Sequence, residues 1–244
     1  MDRTAGIVVI GNEILSGKVT DTNSPFLARE LRKIGVDLRR IVVIPDDLDE
    51  IAATVREFHE RYDFVLTSGG VGPTHDDVTI EGIARAFGRR VVREPSLEAK
   101  LREFYKDKVN DARLKMSEVP QGVELIFGGA LAFPTMKIQN VYILPGIPEI
   151  LQPKFLAIAE RFTGTPFHLR IVYTREGEGT IAEYLNDTVR CFPELLLGSY
   201  PKIGDSEYAV KLTLESKDRE YVEHALAHLL SLLPAGYVVR TESI

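Results

Sequence analysis

The stretch from residue 64 to residue 88, FVLTSGGVGPTHDDVTIEGIARAFG, places the narrowest limits on how this chain can fold. Its apolar run 64–66 is short and is followed by turn residues, which predicts a buried parallel strand. Apolar residues recur at helical spacing over 80–87, and Gly88 stands where a left-handed C-cap belongs. The stretch therefore predicts a strand, a glycine-rich loop and a helix that begins near Asp77.

The loop between that strand and that helix combines two kinds of residue that rarely serve the same ligand. Gly69, Gly70 and Gly72 leave backbone N–H groups open toward a ligand, and together with a helix N-terminus they favour phosphate. Asp76 and Asp77 would repel a phosphate unless a divalent cation lay between them. The loop thus predicts a metal-bridged phosphate or diphosphate, although one of the two carboxylates can also cap the helix.

Strands and helices alternate through the first two thirds of the chain, and this order indicates an α/β fold with a mainly parallel sheet covered by helices on both faces. The charged segment 95–116 is interpreted as a surface helix inserted between core elements, with a lid as the alternative. Pro153, inside the last helix, predicts either a kink or a later helix start. The predicted strands are 7–10, 38–44, 64–66 and 141–144. The first predicted helix is capped by Asn23 or Ser24, and the second spans 51–58. The third begins near Asp77, and the last ends at Phe162.

A short segment of small and polar residues, 163–166, predicts a boundary between two domains, 1–165 and 166–244. Beyond it the pattern becomes strand, helix, strand, strand, helix and strand, which is the order of a ferredoxin-like α+β domain. The predicted elements are 169–173, 180–192, 195–198, 208–214, 221–233 and 237–240.

Acidic residues and glycines follow the predicted strands at the point where each strand ends. Because ligands collect beyond the carboxyl ends of parallel strands, these residues predict one acidic, glycine-lined edge. A single acidic residue in such a place is more often a helix cap, and this alternative applies to Asp46, Asp47 and Glu149 taken one at a time. The strand ends carry Gly11, Asn12 and Glu13, then Asp46 and Asp47, then Thr74, Asp76 and Asp77, and finally Pro145, Gly146 and Glu149.

Charge and composition exclude several classes of partner. The formal net charge of −6 and the lack of a basic run argue against nucleic acid or an anionic membrane as the main partner. The sequence shows neither a membrane-spanning apolar run nor the layout of a signal peptide, so a cytoplasmic location is expected. Cys191, the single cysteine, is interpreted as a small buried hydrophobe, and His224 and His228 as residues of a packed helix and not as metal ligands.

Four motifs carry a family resemblance. GNEILSGKVTDTNS, VVIPDD, TSGGVGPTHDDVT and LPGIPEIL resemble, in order and spacing, the molybdopterin-binding-like domain of CinA proteins, of the N-terminal part of FAD synthase and, more remotely, of MoaB and Mog. GEGTIAEYL and LLLGSYPKIGDSEYAVKLTLES resemble the small domain that follows in CinA and FAD synthase, and the FAD synthase branch is the more similar. Neither the CinA deamidase domain nor the FAD-forming domain has a counterpart in these residues, so neither activity is expected.

The resemblance implies a MoaB/Mog-like fold and a metal-dependent pyrophosphatase that hydrolyses a nucleotide diphosphate such as ADP-ribose or FAD. It assigns catalysis to Asp77, Asp76 and Glu13, with a divalent metal, Mg or Co, on Asp77 and Asp76. Asn12 stands where the family usually has Asp, which places catalysis in question. The ligand-binding residues implied by the motifs are Gly11, Asn12, Asp21, Asn23, Ser68, Gly69, Gly70, Gly72, Pro73, Thr74, Thr79, Pro145, Gly146 and Glu149.

Two other functions remain open at this point. The same loop serves molybdopterin binding or adenylyl transfer in molybdenum cofactor biosynthesis in MoaB and Mog, so molybdopterin is an alternative ligand. The chain could also be a non-catalytic dinucleotide-binding protein. The resemblance implies a homo-oligomer, a dimer or a trimer, whose partners are a nucleotide diphosphate or a pterin.

Overall fold

The computed structural model describes residues 3–128, 132–202, 204 and 207–243. The chain divides into two compact units, Met1–Thr165 and Pro166–Ile244. The strands of the first unit are β1 Thr4–Ile10, β2 Asp37–Ile44, β3 Phe64–Ser68, β4 Val91–Arg93, β5 Glu118–Pro120, β6 Glu124–Ile126, β7 Thr135–Ile138 and β8 Val141–Leu144. Its helices are α1 Asn12–Leu15, α2 Asn23–Lys33, α3 Leu48–Arg61, α4 Thr79–Ala86, α5 Pro95–Tyr105, α6 Asp111–Lys115 and α7 Pro148–Ile158, with 3₁₀ turns at Lys106–Lys108 and Ala159–Arg161.

The first unit is built on a six-stranded sheet in the order β2-β1-β3-β8-β7-β6. The first four strands in this order run parallel, and β7 and β6 add an antiparallel edge. Strands β4 and β5 form a separate antiparallel pair. The parallel part of the sheet confirms the predicted fold class, whereas β6 and β7 were not predicted.

Both faces of this sheet are covered by helices, and successive residues of β1 pack into the two opposite cores. In β1, Val8 and Ile10 pack with residues of α3 and α4, among them Phe58 and Ile83. Their neighbours Ile7 and Val9 belong to the opposite core with residues of α2 and α7. Because β1 is buried on both sides, its sequence is continuously apolar and does not alternate.

The predicted helix boundaries can be compared with the observed ones. Helix α4 begins at Thr79, two residues after Asp77, which agrees with a predicted start near Asp77. The segment 95–116 is not one helix but two, α5 and α6, joined by a 3₁₀ turn. Helix α7 begins at Pro148 and runs through Pro153, so the alternative of a later start is excluded.

The second unit contains β9 His168–Thr174, α8 Glu178–Cys191, β10 Leu196–Pro201, β11 Val210–Ser216, α9 Arg219–Leu232 and β12 Val238–Ser243. Its antiparallel sheet has the order β10-β11-β9-β12. Apolar residues of α8 and α9, such as Ile181 and Leu229, pack on Val172 and Leu212 of the sheet. The predicted α+β order is confirmed. Within the described residues, the helices of both units are too short or too polar to span a membrane.

Candidate functional site

A cleft of about 840 Å³ lies beyond the carboxyl ends of β1, β3 and β8. Val9 and Ile10 from the end of β1, Ser68 from the end of β3, and Gly146 just after β8 all line it. Parallel strands in register bring these ends to one edge, because Val9 pairs with Ser68 and Ser68 with Leu144. This is the edge of an α/β sheet at which ligands usually bind, and the volume suits a nucleotide-sized molecule.

Most of the predicted site residues line this cleft. Six others lie outside its lining: Gly11, Asn12, Thr74, Asp76, Thr79 and Glu149. The cleft brings together Glu13, Asp21, Asn23, Ser68, Gly69, Gly70, Gly72, Pro73, Asp77, Pro145 and Gly146.

The glycine loop is tightly held against its surroundings. Gly69 and Gly70 have φ angles of 107° and 62°, a region that side chains rarely adopt. A Cβ atom on Gly69 would lie 2.1 Å from the carbonyl oxygen of Ile10. The hydroxyl of Thr79 donates to the carbonyl oxygen of Gly69 at 2.9 Å. The backbone N–H of Thr79 donates to the carbonyl oxygen of Gly70 at 3.0 Å. Thr79 therefore positions the loop from the first turn of α4.

Asp77 closes the loop and does not cap the helix. Its Oδ2 accepts a 2.8 Å hydrogen bond from the backbone N–H of Thr74 and a second, short one from the Thr74 hydroxyl. The N-cap of α4 is Val78, which makes no side-chain capping bond, so the alternative that one of the two aspartates caps this helix is excluded. The Thr74 hydroxyl also lies close enough to the exposed Asp76 to lower the pKa of that carboxyl.

Asn23 connects three segments of the cleft. Its side-chain amide donates to the hydroxyl of Ser68 at 3.0 Å and to the carbonyl oxygen of Gly146 at 2.7 Å. Its own carbonyl oxygen, Oδ1, is buried and has no hydrogen-bond partner among the described residues. Buried polar atoms are normally satisfied, so this oxygen is an acceptor that a ligand in the cleft could use.

Asp21 takes the capping role that was expected of Asn23 or Ser24. Its Oδ1 accepts from the backbone N–H groups of Asn23 at 2.9 Å and Ser24 at 3.0 Å. This fixes the first turn of α2 and, with it, the side chain of Asn23. Asp21 also lines the cleft, so it joins the helix terminus to the candidate site.

Two acidic residues after the end of β2 accept hydrogen bonds from backbone N–H groups. Asp46 accepts a 2.8 Å hydrogen bond from the N–H of Asn12, and Asp47 caps α3 by accepting from the N–H groups of Asp49 and Glu50. The capping alternative is therefore confirmed for Asp47. Glu149 lies in the first turn of α7, where a carboxylate is favourable near the helix N-terminus.

The acidic side chains in and near the cleft fit a metal that is shared with a ligand. Glu13 and Asp77 line the cleft, but among the described residues Glu13, Asp76 and Asp77 do not form a group of three donors within 4.8 Å of one another. Magnesium in nucleotide sites is commonly held by one or two carboxylates together with phosphate oxygens and water. The carboxylates present fit a metal ion that is also coordinated by phosphate oxygens and water. They do not fit a site in which the protein supplies every ligand.

The segment 95–116 contributes residues that the sequence reasoning missed. Tyr105, Arg113 and Met116 line the cleft, and the Arg113 guanidinium stacks on the Tyr105 ring with its carbon 4.4 Å from the ring centre. The ammonium group of Lys115 donates to the carbonyl oxygens of Thr74 at 3.1 Å and Asp77 at 2.8 Å. No local pattern signals these contacts, because Lys115 and Asp77 lie 38 residues apart.

Exposed apolar side chains border the same cleft. Val19, Ile147 and Ile150 line it with exposures of 50%, 56% and 41%. Apolar walls beside a few polar groups are typical of sites for small molecules that contain a ring system. The cleft thus combines a surface suited to a planar ring with backbone and cationic groups suited to phosphate.

Family models match both units of the chain. The first, described as "Probable molybdopterin binding domain", matches residues 6–163, which is more than half of the chain. The chain belongs to the molybdopterin-binding domain family. The second, described as "FAD synthase, middle domain", matches residues 166–242. The resemblance to CinA and FAD synthase proteins that the motifs indicated is confirmed, and the first unit has the expected α/β fold with a mainly parallel sheet.

Relatives of this family member extend over nearly the whole chain. A protein from Archaeoglobus fulgidus is 39% identical over 227 residues, which cover 93% of this chain and 96% of that protein. A protein named "Probable FAD synthase" from Caenorhabditis elegans is 37% identical, with 99% of this chain and 52% of that protein covered. The chain therefore spans about half the length of the nematode protein.

A solved structure supports the fold of the first unit. It is that of the protein CinA, of unknown function, from Thermoplasma acidophilum, and it is 32% identical to this chain. It covers 66% of this chain and 98% of its own, with a TM-score of 0.61.

Proposed function

We propose that this molybdopterin-binding domain protein is a metal-dependent pyrophosphatase that hydrolyses the diphosphate of a dinucleotide such as ADP-ribose or FAD. The observation that carries the proposal is the cleft itself, where Asp77 and Glu13 lie on the same walls as the glycine loop and Arg113. Carboxylates beside a phosphate-binding loop are explained by a diphosphate whose charge is shared with a divalent cation.

The glycine loop is the part that would hold the diphosphate. The positive φ angles of Gly69 and Gly70 set the direction of the backbone there, and Thr79 keeps both peptides in place. Arg113 supplies a cation whose planar guanidinium suits phosphate oxygens. Its stacking on Tyr105 already restricts the side chain, so less conformational entropy is lost when a ligand binds.

The ring systems of the substrate would lie against the apolar border of the cleft. Val19, Ile147 and Ile150 offer exposed apolar surface there, and the buried Oδ1 of Asn23 offers an acceptor for a hydroxyl or an amino group. These two features favour a nucleotide or a pterin over inorganic diphosphate, which has neither ring nor N–H donor.

Hydrolysis requires a water oxygen to bond to one phosphorus while the bridging P–O bond breaks, which yields AMP and a second monophosphate and releases a proton. A divalent ion held by Asp77, with Asp76 or Glu13 as a second carboxylate, and shared with the phosphate oxygens would supply the positive charge that offsets the charge developing there. Asp77 is kept in place for this role by its two hydrogen bonds from Thr74. Lys115 stabilises the same loop by donating to the carbonyl oxygens of Thr74 and Asp77.

The test is AMP formation from ADP-ribose and from FAD by the purified chain with magnesium or cobalt, compared with the same reaction in excess chelator. The proposal expects AMP from at least one substrate and its loss with the chelator. If neither substrate yields metal-dependent AMP, the proposal is wrong.

The match to the molybdopterin-binding family model favours a second candidate. In this alternative the cleft binds molybdopterin, either as a carrier or for adenylyl transfer from ATP in molybdenum cofactor biosynthesis. The discriminating measurement is titration with molybdopterin, followed by a search for adenylylated pterin after addition of ATP and magnesium. Tight binding with adenylylation would replace the pyrophosphatase proposal.

Asn12 allows a third outcome, a dinucleotide-binding protein without turnover. Its side chain does not line the cleft, and its backbone N–H is held by Asp46, so the position acts here through the backbone. A rise in melting temperature with ADP-ribose or FAD in the absence of any product would identify this case.

A further inference from the structure

Three side chains that can bind a metal converge on the helical layer of the second unit, outside the cleft. Asp187 and Cys191 are four residues apart on α8 and so lie on one face of that helix. His228 comes from α9, and its Nε2 lies 3.2 Å from Oδ2 of Asp187. One donor atom from each of the three residues lies within 4.8 Å of the other two, and in the described part of the chain only this group of three does so.

The surroundings of His228 and Asp187 hold both side chains in place. The ring of Phe192 packs against the imidazole with the ring centres 5.6 Å apart. A guanidinium nitrogen of Arg190 lies 3.4 Å from Oδ1 of Asp187, which leaves Oδ2 on the side of His228. Carboxylates that bind a metal through one oxygen commonly have a second contact of this kind, which fixes their orientation.

Access to the cluster is open. Cys191 is exposed, which shows that its interpretation as a buried hydrophobe was wrong, and His228 and Asp187 are partly exposed at 29% and 39% of their side chains. An imidazole, a carboxylate and a thiolate together form the ligand set that zinc and its close neighbours prefer, and they disfavour magnesium and calcium. Three protein ligands at an exposed place leave a fourth position for water.

We propose that Asp187, Cys191 and His228 form a binding site for a zinc-class divalent ion. When the ion binds, the Cys191 thiol loses its proton to solvent as the metal–sulfur bond forms, and the direct contact between His228 and Asp187 gives way to two bonds to the metal. This site is separate from the carboxylates of the cleft and does not depend on the proposed pyrophosphatase activity.

The test uses the full chain, reduced with a phosphine that does not bind metal, and titrates it with cobalt as a spectroscopic substitute for zinc. Because Cys191 is the single cysteine of the sequence, a sulfur-to-cobalt charge-transfer band can come only from this residue. Cobalt held by carboxylates in the cleft gives no such band, so the two sites are distinguished. The band should saturate at one ion per chain and disappear when zinc is added.

Variants decide whether the ligand set is right. Cys191→Ser should abolish the band, and His228→Gln and Asp187→Asn should each weaken cobalt binding at least about tenfold. The matched control is His224→Gln, an exposed histidine one turn earlier on α9 that is not part of the cluster, and it should leave binding unchanged. No band at a large excess of cobalt, or a band that saturates in His228→Gln at the same cobalt concentration as in the wild type, would overturn the proposal.

Discussion

The side-chain amide of Asn23 donates a 2.7 Å hydrogen bond to the carbonyl oxygen of Gly146, which lies 123 residues further along the chain. The same amide donates to Ser68, so one buried side chain joins the start of α2 to the ends of β3 and β8. This side chain therefore ties α2 to the strand ends that line the cleft, in addition to the pairing of β3 with β8.

Replacement of Asn23 by Ala should lower the free energy of unfolding by about 1–3 kcal/mol, because it leaves the buried hydroxyl of Ser68 and the carbonyl oxygen of Gly146 without this donor. It should also weaken dinucleotide binding, since the free Oδ1 is lost. Urea denaturation measures the first effect and ligand titration the second. Asn186→Ala, at an exposed position on α8, is the control and should leave both nearly unchanged.

Gly69 should not tolerate a side chain. Gly69→Ala places a methyl group 2.1 Å from the carbonyl oxygen of Ile10 and forces alanine to a φ angle of 107°. Backbone strain of this kind costs about 1–3 kcal/mol before the clash is counted. Gly17→Ala is a matched control, because its φ angle is also positive, at 71°, but no atom lies within 4 Å of the new methyl group. Equal losses of stability in the two variants would contradict the packing described for the loop.

Lys154 should make the stability of the first unit depend on pH in the alkaline range. Burial lowers the pKa of its ammonium group from 10.5 to about 8, and the ammonium donates to the carbonyl oxygens of Phe133 and Pro134. Between pH 8 and 10.5 the unfolded chain then binds more protons than the folded chain, so the free energy of unfolding rises with pH through this window.

The measurement is chemical denaturation of the wild type and of Lys154→Met between these pH values. The wild type should gain up to about 3 kcal/mol relative to the variant as the pH rises. Lys33→Met, at an exposed lysine on α2, should track the wild type. A constant difference between wild type and Lys154→Met across the window would show that the pKa of this lysine is not lowered.

Lys115 is expected to support ligand binding from outside the cleft. Lys115→Met removes the donor that joins α6 to the carbonyl oxygens of Thr74 and Asp77, so the loop should become less ordered. We expect the binding free energy of a dinucleotide to weaken by about 1.4 kcal/mol, which corresponds to a tenfold rise in its dissociation constant. Lys100→Met, on α5, removes a lysine that contacts Phe127 instead, and it should not change the affinity.

The sequence predicted those features that depend on local pattern. The apolar runs of β1, β2, β3 and β8 and the glycines after β3 are local signals, and they led to a mainly parallel sheet and to a loop at its edge. The motifs in this loop also pointed to the family. Asp77 shows the limit of that reasoning, because local spacing located the helix start near it but did not reveal that its carboxylate accepts a hydrogen bond from Thr74 within the loop.

Features made by distant contacts were missed. The strands β6 and β7 are short, and they become strands by pairing in series with β8, which no alternation within 124–138 reveals. The approach of Lys115 to Asp77 depends on where α6 packs. Cys191 was expected inside because cysteines are often buried, yet on α8 the fully buried positions are Ile181 and Thr188, and Cys191 lies on the exposed side.

We expect Asp77 to act in metal-dependent hydrolysis of a dinucleotide. Asp77→Asn keeps an oxygen that can accept from Thr74 and so preserves the loop while it removes the charge. Asp49→Asn, at an exposed aspartate on α3 away from the cleft, is the matched control. The decisive measurement is the rate of AMP release from ADP-ribose or FAD with magnesium or cobalt. We predict a loss of at least about 100-fold in Asp77→Asn and none in Asp49→Asn. An unchanged rate in Asp77→Asn would show that this carboxylate does not act in the reaction.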